Sequence, residues 1–245
     1  MTRGRLAAVA VLAAVLVAVV GVVLRTREHR AAPPKRPSVS TSSVLVLTWA
    51  PSLCGVETSA SGCRSGLVGR LGNSFVLHGL WPQPRSQQYC DVPKEDAARK
   101  RKQLSLPADL SNRLDGMMSD ASVMAPHEWY AHGTCAGVTP VEYFSIATEL
   151  AEQAIAVLDP VFDRAAGRQL SARSVRDAVD AGAGAGAGSR VALACRDVPG
   201  SGPVVYEVRL SLPPVVQLRS AGRSLAKALA AGPAIAPGCG QARIP

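Results

Sequence analysis

The sequence predicts an α+β fold, and the order of its elements carries the prediction. Short β-branched apolar runs, "VLVLTW" and "FVLHGLW" (75–81), read as buried strands. Helical spacing occupies 107–119 and 140–158, and two more strand-like runs, "RVALAC" and "VVYEVRLSL", come late and read as a pair. Strands and helices do not alternate regularly, as a parallel β-α-β fold would require. Six cysteines, Cys54, Cys63, Cys90, Cys135, Cys195 and Cys239, all lie in this mixed region.

Taken in chain order, the first 24 residues read as a signal peptide or signal anchor. Arg3 and Arg5 precede an apolar run from Leu6 to Leu24, and at about 1.5 Å per residue such a helix spans roughly 28 Å, close to a bilayer core. That length suits a membrane tether through residues 6–24 better than a cleaved leader. Residues 25–43, including "AAPPKRPSVSTSS", read as a disordered linker, and the folded domain is expected at 44–245. The chain is long enough for one domain with a sizeable core. Its charge of +9 is misleading: seven cations against Glu28 place +6 within residues 1–36 and leave +3 for the rest. A mild excess fits an anionic substrate without requiring one. An even cysteine count behind an export-like segment implies three disulfides and an oxidising compartment, but fifteen pairings are open to six cysteines. No Cys-x-x-Cys pair suggests a structural metal.

The later helices carry start signals. Thr139, Pro140 and Glu142 form a capping pattern before the second, and Ser171 caps a shorter helix over 171–179. The Ala/Gly alternation "DAGAGAGAGS" (180–189) reads as a floppy surface loop, since it lacks the Lys-Ser/Thr of a phosphate loop. The basic cluster Arg99 to Lys102 reads first as a solvated helix face.

Chemistry concentrates in "HEWYAHGTC" (127–135) and "HGLWPQ" (78–83), which hold three of the chain's four histidines. A zincin needs histidines four apart on one helical face. His127 and His132 are five apart, and five steps of 100° leave them about 140° apart on a helix. Glu128 and His132 share a face instead. That pattern favours acid–base chemistry over metal ligation, and no metal or other cofactor is expected. Two histidines from separate segments can act as base and acid, and a tryptophan face offers a stacking surface for a nucleobase.

"HGLWP" and "HEWxxHGTC" together resemble the two active-site segments of the ribonuclease T2 family. Looser similarity in "VLVLTWAPSLC", "YC" at 89–90, "GVTPVEYF" and "YEVRLSL" extends it over roughly residues 44–240. The resemblance implies an α+β fold around a central antiparallel sheet with flanking helices. It implies a secreted, metal-independent endoribonuclease, acting as a monomer on single-stranded RNA through a 2′,3′-cyclic phosphate to 3′-phosphate products. His78 then corresponds to the general base, His132 to the general acid, His127 to a phosphate contact and Glu128 to the carboxylate that polarises the site. Trp81 and Tyr89 correspond to base-binding residues. The resemblance also implies the pairs Cys90–Cys135 and Cys195–Cys239, with Cys54–Cys63 as the remainder. Two positions depart from the family pattern. Ala131 replaces a frequent lysine, for which the 99–102 cluster is a candidate substitute, and Gln83 replaces an acidic residue tied to base preference. A catalytically weak RNA-binding or signalling protein on the same scaffold is the alternative.

Overall fold

A computed structural model describes residues 40–93, 103–219 and 223–245. The apolar run, most of the expected linker and the 99–102 cluster lie outside the described residues. Among the described residues no helix is long and apolar enough to cross a membrane.

The first strand, β1 (Ser42–Trp49), starts two residues inside the segment read as linker. Its early residues are fastened: the Ser43 hydroxyl donates to Pro213 O, and Thr41 N–H donates to Gln83 O. Three short helices follow, α1 (Ala50–Val56), α2 (Ser61–Arg64) and α3 (Leu67–Leu71), before β2 (Phe75–Gln83). Helices α4 (Ala108–Asp115), α5 (Ala121–Ala131) and the long α6 (Pro140–Ala165) come next. β3 (Gln169–Ser171) and α7 (Ala172–Ala183) lead to β4 (Val191–Val198) and β5 (Gly202–Leu212). The chain closes with α8 (Val215–Leu218), α9 (Leu225–Ala231) and β6 (Gln241–Arg243).

Among the described residues the six strands form one sheet in the order β2-β1-β5-β6-β3, with β4 also paired to β5. The pairs are antiparallel except β5–β6, which meet in parallel at Val204 and Arg243. The sheet is therefore mixed and not wholly antiparallel, because the C-terminal strand re-enters beside β5 in its own direction. Period-2 alternation divides the faces. Leu45, Leu47, Trp49, Leu77, Leu80, Val208 and Leu210 belong to the main core, packed with α6 residues such as Tyr143, Leu150 and Phe162. The other face carries the polar residues Thr48, Glu207 and Ser211, all nearly inaccessible to water.

α6 begins with the expected capping box: the Thr139 hydroxyl accepts from Glu142 N–H, and Glu142 accepts from Thr139 N–H. Ser171 caps α7 by accepting from Ser174 N–H. The Ala/Gly segment is not a floppy loop. α7 continues to Ala183, and a 3-10 turn at Ala187–Arg190 is packed inward with Ala187 and Gly188 buried. Asp180 accepts from Gly188 N–H at 2.7 Å, and a β-carbon on Gly188 would fall 2.3 Å from Arg176 O. Small residues here permit close backbone packing.

Three disulfides join Cys54 to Cys63, Cys90 to Cys135 and Cys195 to Cys239, and no described cysteine is free. They fit an oxidising compartment.

Candidate active site

β2 carries the first half of the site through a bulge. Val46 of β1 pairs with Gly79, but the next residue, Leu47, pairs with Leu77. His78 is the extra residue, so it and Gly79 both escape the core face that Leu77 and Leu80 occupy. A bulge of this kind re-aims a side chain without ending the strand. The Tyr143 hydroxyl of α6 fastens the following residue, donating to Leu80 O at 2.6 Å and lying 3.2 Å from Leu80 N.

α5 supplies the second half. The helix ends at Ala131, and His132 sits at its C-cap with φ −127° and ψ −47°. The helical spacing argument therefore fails where it was needed. His132 lies off the helix, and donor atoms of His127, Glu128 and His132 all lie within 4.8 Å of one another. These three residues could hold a metal ion, contrary to the expectation from spacing. Just past the helix end, a β-carbon on Gly133 would fall 2.3 Å from the Trp129 ring, so only glycine fits there. That glycine was a readable helix-end signal.

Glu128 is the hub. It is fully buried, and its Oε2 accepts from Trp81 Nε1 at 2.8 Å. Its Oε1 stands 3.8 Å from His78 Nε2 and 3.8 Å from His127 Nε2. Gly79 makes this approach possible, because it presents no side chain beneath the carboxylate. The Trp81 ring stacks on His132 with centroids 5.0 Å apart, and meets His78 edge-on at 5.1 Å. His78 and His132 therefore flank one indole ring, and Glu128 is hydrogen-bonded to that ring.

His78 is gripped from β5, by residues that sequence reasoning did not single out. Its Nδ1 lies 3.2 Å from Glu207 Oε1, and the other Glu207 oxygen accepts from Arg209 Nε at 3.0 Å and from a terminal Arg209 nitrogen at 2.7 Å. Burial works to lower the His78 pKa. The Glu207 hydrogen bond and the charges of Glu128, Glu207 and Glu57 outweigh burial, so the ring titrates above its ordinary 6.5. Burial likewise raises Glu207, but hydrogen bonds and charges from His78 and Arg209 outweigh it, and the carboxyl lies below its ordinary value.

Two cavities flank the histidines. One of about 90 Å³ is lined by Trp81, Pro82, Gln83, Arg85, Gln88 and His132. The other, of about 210 Å³, includes Thr48, His78, Val123, Met124 and Tyr206 in its wall. A larger cavity of about 530 Å³ is walled by Trp129, Tyr130 and Arg219 and touches none of the histidines. The smaller pair, and not this larger cavity, borders His78 and His132. Tyr89 does not line the Trp81 cavity. Its backbone N–H donates to Ala131 O, and with Cys90–Cys135 it ties the chain after β2 to the end of α5.

The comparisons with known proteins agree with this architecture. A ribonuclease of Momordica charantia, Ribonuclease MC, is 29% identical over 108 residues, covering 43% of this chain and 54% of that protein. A ribonuclease of Aeromonas hydrophila is 27% identical over 109 residues, covering 44% of each. The match thus spans about half the length of these relatives or less. Among solved structures, a mutant of RNase MC1 in complex with 5′-GMP superposes with a TM-score of 0.56 at 22% identity, over 82% of this chain and 98% of that one. Ribonuclease MC1 from bitter gourd seeds gives 0.51 at 24% identity, over 70% and 88%. At such identities these structures support the fold alone. The Ribonuclease T2 family model matches residues 41–221, a span that includes both histidine segments and β5, and the chain belongs to that family.

Proposed function

We propose that the protein is an exported endoribonuclease that cleaves single-stranded RNA by metal-independent transesterification, through 2′,3′-cyclic phosphate to 3′-phosphate ends. The observation that carries this reading is the approach of both His78 and His132 to Trp81, one edge-on and one stacked, with Glu128 bonded to the same indole. One histidine removes the 2′-hydroxyl proton, and the other protonates the departing 5′-oxygen. His127, partly exposed to solvent and 3.8 Å from Glu128, contacts the phosphorane that forms between them, and the buried Glu128 orients the rings from behind.

The surroundings of the two rings support assigning their roles opposite to the order expected from the resemblance. His78 lies beside two carboxylates, 3.2 Å from Glu207 and 3.8 Å from Glu128, which favour its protonated form and suit it to give a proton. His132 borders the cavity walled by Trp81, where a base would stack. The ribose of that nucleotide then brings its 2′-hydroxyl to His132. In this reading His132 is the base and His78 the acid, and activity falls on the alkaline side as His78 loses its proton. The residues before β1 serve export, as a signal peptide or an anchor. A family lysine is replaced by the buried Ala131, which favours a slower enzyme of the same kind.

The test uses the full chain, oxidised, with generic RNA in excess EDTA at mildly acidic pH, reading the 3′ ends of the products. Cyclic phosphate ends, absent in His132→Ala, are expected. Activity lost in EDTA and restored by zinc would instead make the three-donor cluster a metal site. RNA binding without cleavage under either condition would make the protein a binding module.

A further inference from the structure

His78 is held from a strand two removed from its own. β5 lies beyond β1, yet Glu207, opposite Thr48 in register, reaches across β1 to His78 Nδ1. Thr48 Oγ1 lies 3.4 Å from the same nitrogen. Arg209 is two residues on and so shares the face of Glu207. Both of its bonds close on Glu207 Oε2, leaving Oε1 for the histidine.

We propose that Glu207 is a positioning residue for RNA cleavage, fixing His78 with Nδ1 as donor and Nε2 as the proton-transferring atom, and that Arg209 holds that carboxylate and tempers its charge. The inference rests on the nuclease reading above and adds two residues to it. An ionised carboxylate only accepts hydrogen bonds, so Nδ1 keeps its hydrogen whether the ring is charged or neutral. The proton given to the leaving oxygen then departs from Nε2, on the Glu128 side of the ring. Without Glu207 the neutral ring has two tautomers open to it and loses a fixed orientation.

The charged groups around His78 come from several elements. Glu207 and, behind it, Arg209 belong to β5, Glu128 and His127 belong to α5, and Glu57 follows α1. Glu57 is hydrogen-bonded to the Tyr206 hydroxyl, and Glu128 stands 3.8 Å from the ring. Of these carboxylates Glu207 makes the 3.2 Å contact. It is also nearly inaccessible to water, so its effect is weakly screened.

A carboxylate and a guanidinium acting on one ring give opposite signs when removed, which a merely structural pair would not. The experiment follows the His78 ring by proton NMR in the full chain, assigned by the signal lost in His78→Gln, beside pH profiles of kcat on RNA. Glu207→Gln keeps an acceptor and loses the charge: the His78 midpoint and the alkaline limb should move to lower pH. Arg209→Met should move both to higher pH. Glu207→Leu loses acceptor and charge, and kcat should fall about 10–100-fold with KM little changed. Midpoints that stay put or move in the same direction in Glu207→Gln and Arg209→Met, or wild-type kcat in Glu207→Leu, would overturn the proposal. If the leucine variant fails to fold, the other two decide. A wild-type protein that cleaves no RNA but shows the opposed NMR shifts would sink the nuclease reading and leave the positioning of His78 standing.

Discussion

Gly79→Ala is a one-carbon perturbation at the centre of the site. A β-carbon there would fall 1.9 Å from Glu128 Oε2, 2.7 Å from its Cδ and 2.7 Å from Trp81 Nε1. Ordinary contact needs about 3.5 Å, so the carboxylate or the strand must give by more than an ångström. Gly79 lies in β2 and is not among the glycines with positive φ, so the backbone itself accepts alanine. The cost is steric. Glu128 is fully buried and cannot swing into water, so relief breaks its 2.8 Å bond from Trp81. Overpacking typically costs about 1–3 kcal/mol, and a broken buried hydrogen bond about 1–3 kcal/mol. A total near 3 kcal/mol lowers the melting temperature of a domain this size by about 6–12 °C. A misplacement of about 1 Å lowers the cleavage rate about 100-fold. Thermal melts of the oxidised protein and initial rates on RNA measure both. Trp81→Phe is the comparator: it removes the donor without inserting an atom, and its loss combines the hydrogen-bond share with the packing of the indole on His132. Wild-type stability and rate in Gly79→Ala would mean that Glu128 does not lie over the strand, and the hub described above would be wrong.

Three further outcomes are expected. Tyr143→Phe should cost about 1–3 kcal/mol in urea unfolding, because it strips both buried bonds from the Leu80 peptide between Gly79 and Trp81; an unchanged midpoint would refute that anchoring role. Replacing Cys90 and Cys135 by serine opens a loop of sequence separation 45, which the chain-entropy model values at about 4 kcal/mol. Activity should fall further than stability alone explains, because the bridge ties the two histidine segments; a rate that simply tracks the folded fraction would refute this. The His78–Glu207 pair should give stability a window in pH. The raised His78 contributes fully below 6.5, and that share is lost as pH rises through its folded value. The lowered Glu207 contributes above 4.5, and that share is lost as pH falls through its folded value. His78→Gln should flatten the alkaline limb of the stability curve and leave its slope unchanged only if the ring's pKa does not change on folding.

Much of the architecture was legible because it follows from local rules. Thr139 and Glu142 announce the start of α6, and the short apolar, β-branched run "VLVLTW" announces a strand. What pairing decides was hidden. His78 occupies a bulge, and a bulge is a property of two strands together, so nothing in "FVLHGLW" marks it. Glu207 and Arg209 alternate with apolar residues as any solvent-facing pair would. Their burial against His78 depends on β1 lying between β2 and β5, which no local pattern states. The Ala/Gly run misled in the other direction: low complexity suggested looseness, whereas small side chains allow Gly188 to pack against the backbone of α7.

The histidine spacing shows the limit of a periodic argument. Counting 100° per residue is valid only while the helix lasts, and α5 ends one residue before His132. A 3-10 turn at Gly133–Cys135 follows, and the Trp129 ring leaves no room for a side chain at Gly133. Once the chain leaves the helix, the angular separation of His127 and His132 no longer keeps them apart, and three donor atoms gather within 4.8 Å. Spacing therefore does not discriminate an acid–base site from a metal site in this protein. The partners of each donor argue more directly. Glu128 commits one oxygen to Trp81, and His132 lies against the face of that indole. An ion drawing Glu128 and His132 inward would have to share Oε2 with Trp81 or use Oε1, the oxygen that faces His78 and His127. Metal binding and the proposed acid–base arrangement thus compete for the same carboxylate. Zinc added to the EDTA-treated protein should then suppress cleavage if the acid–base reading is right, and restore it if the metal reading is.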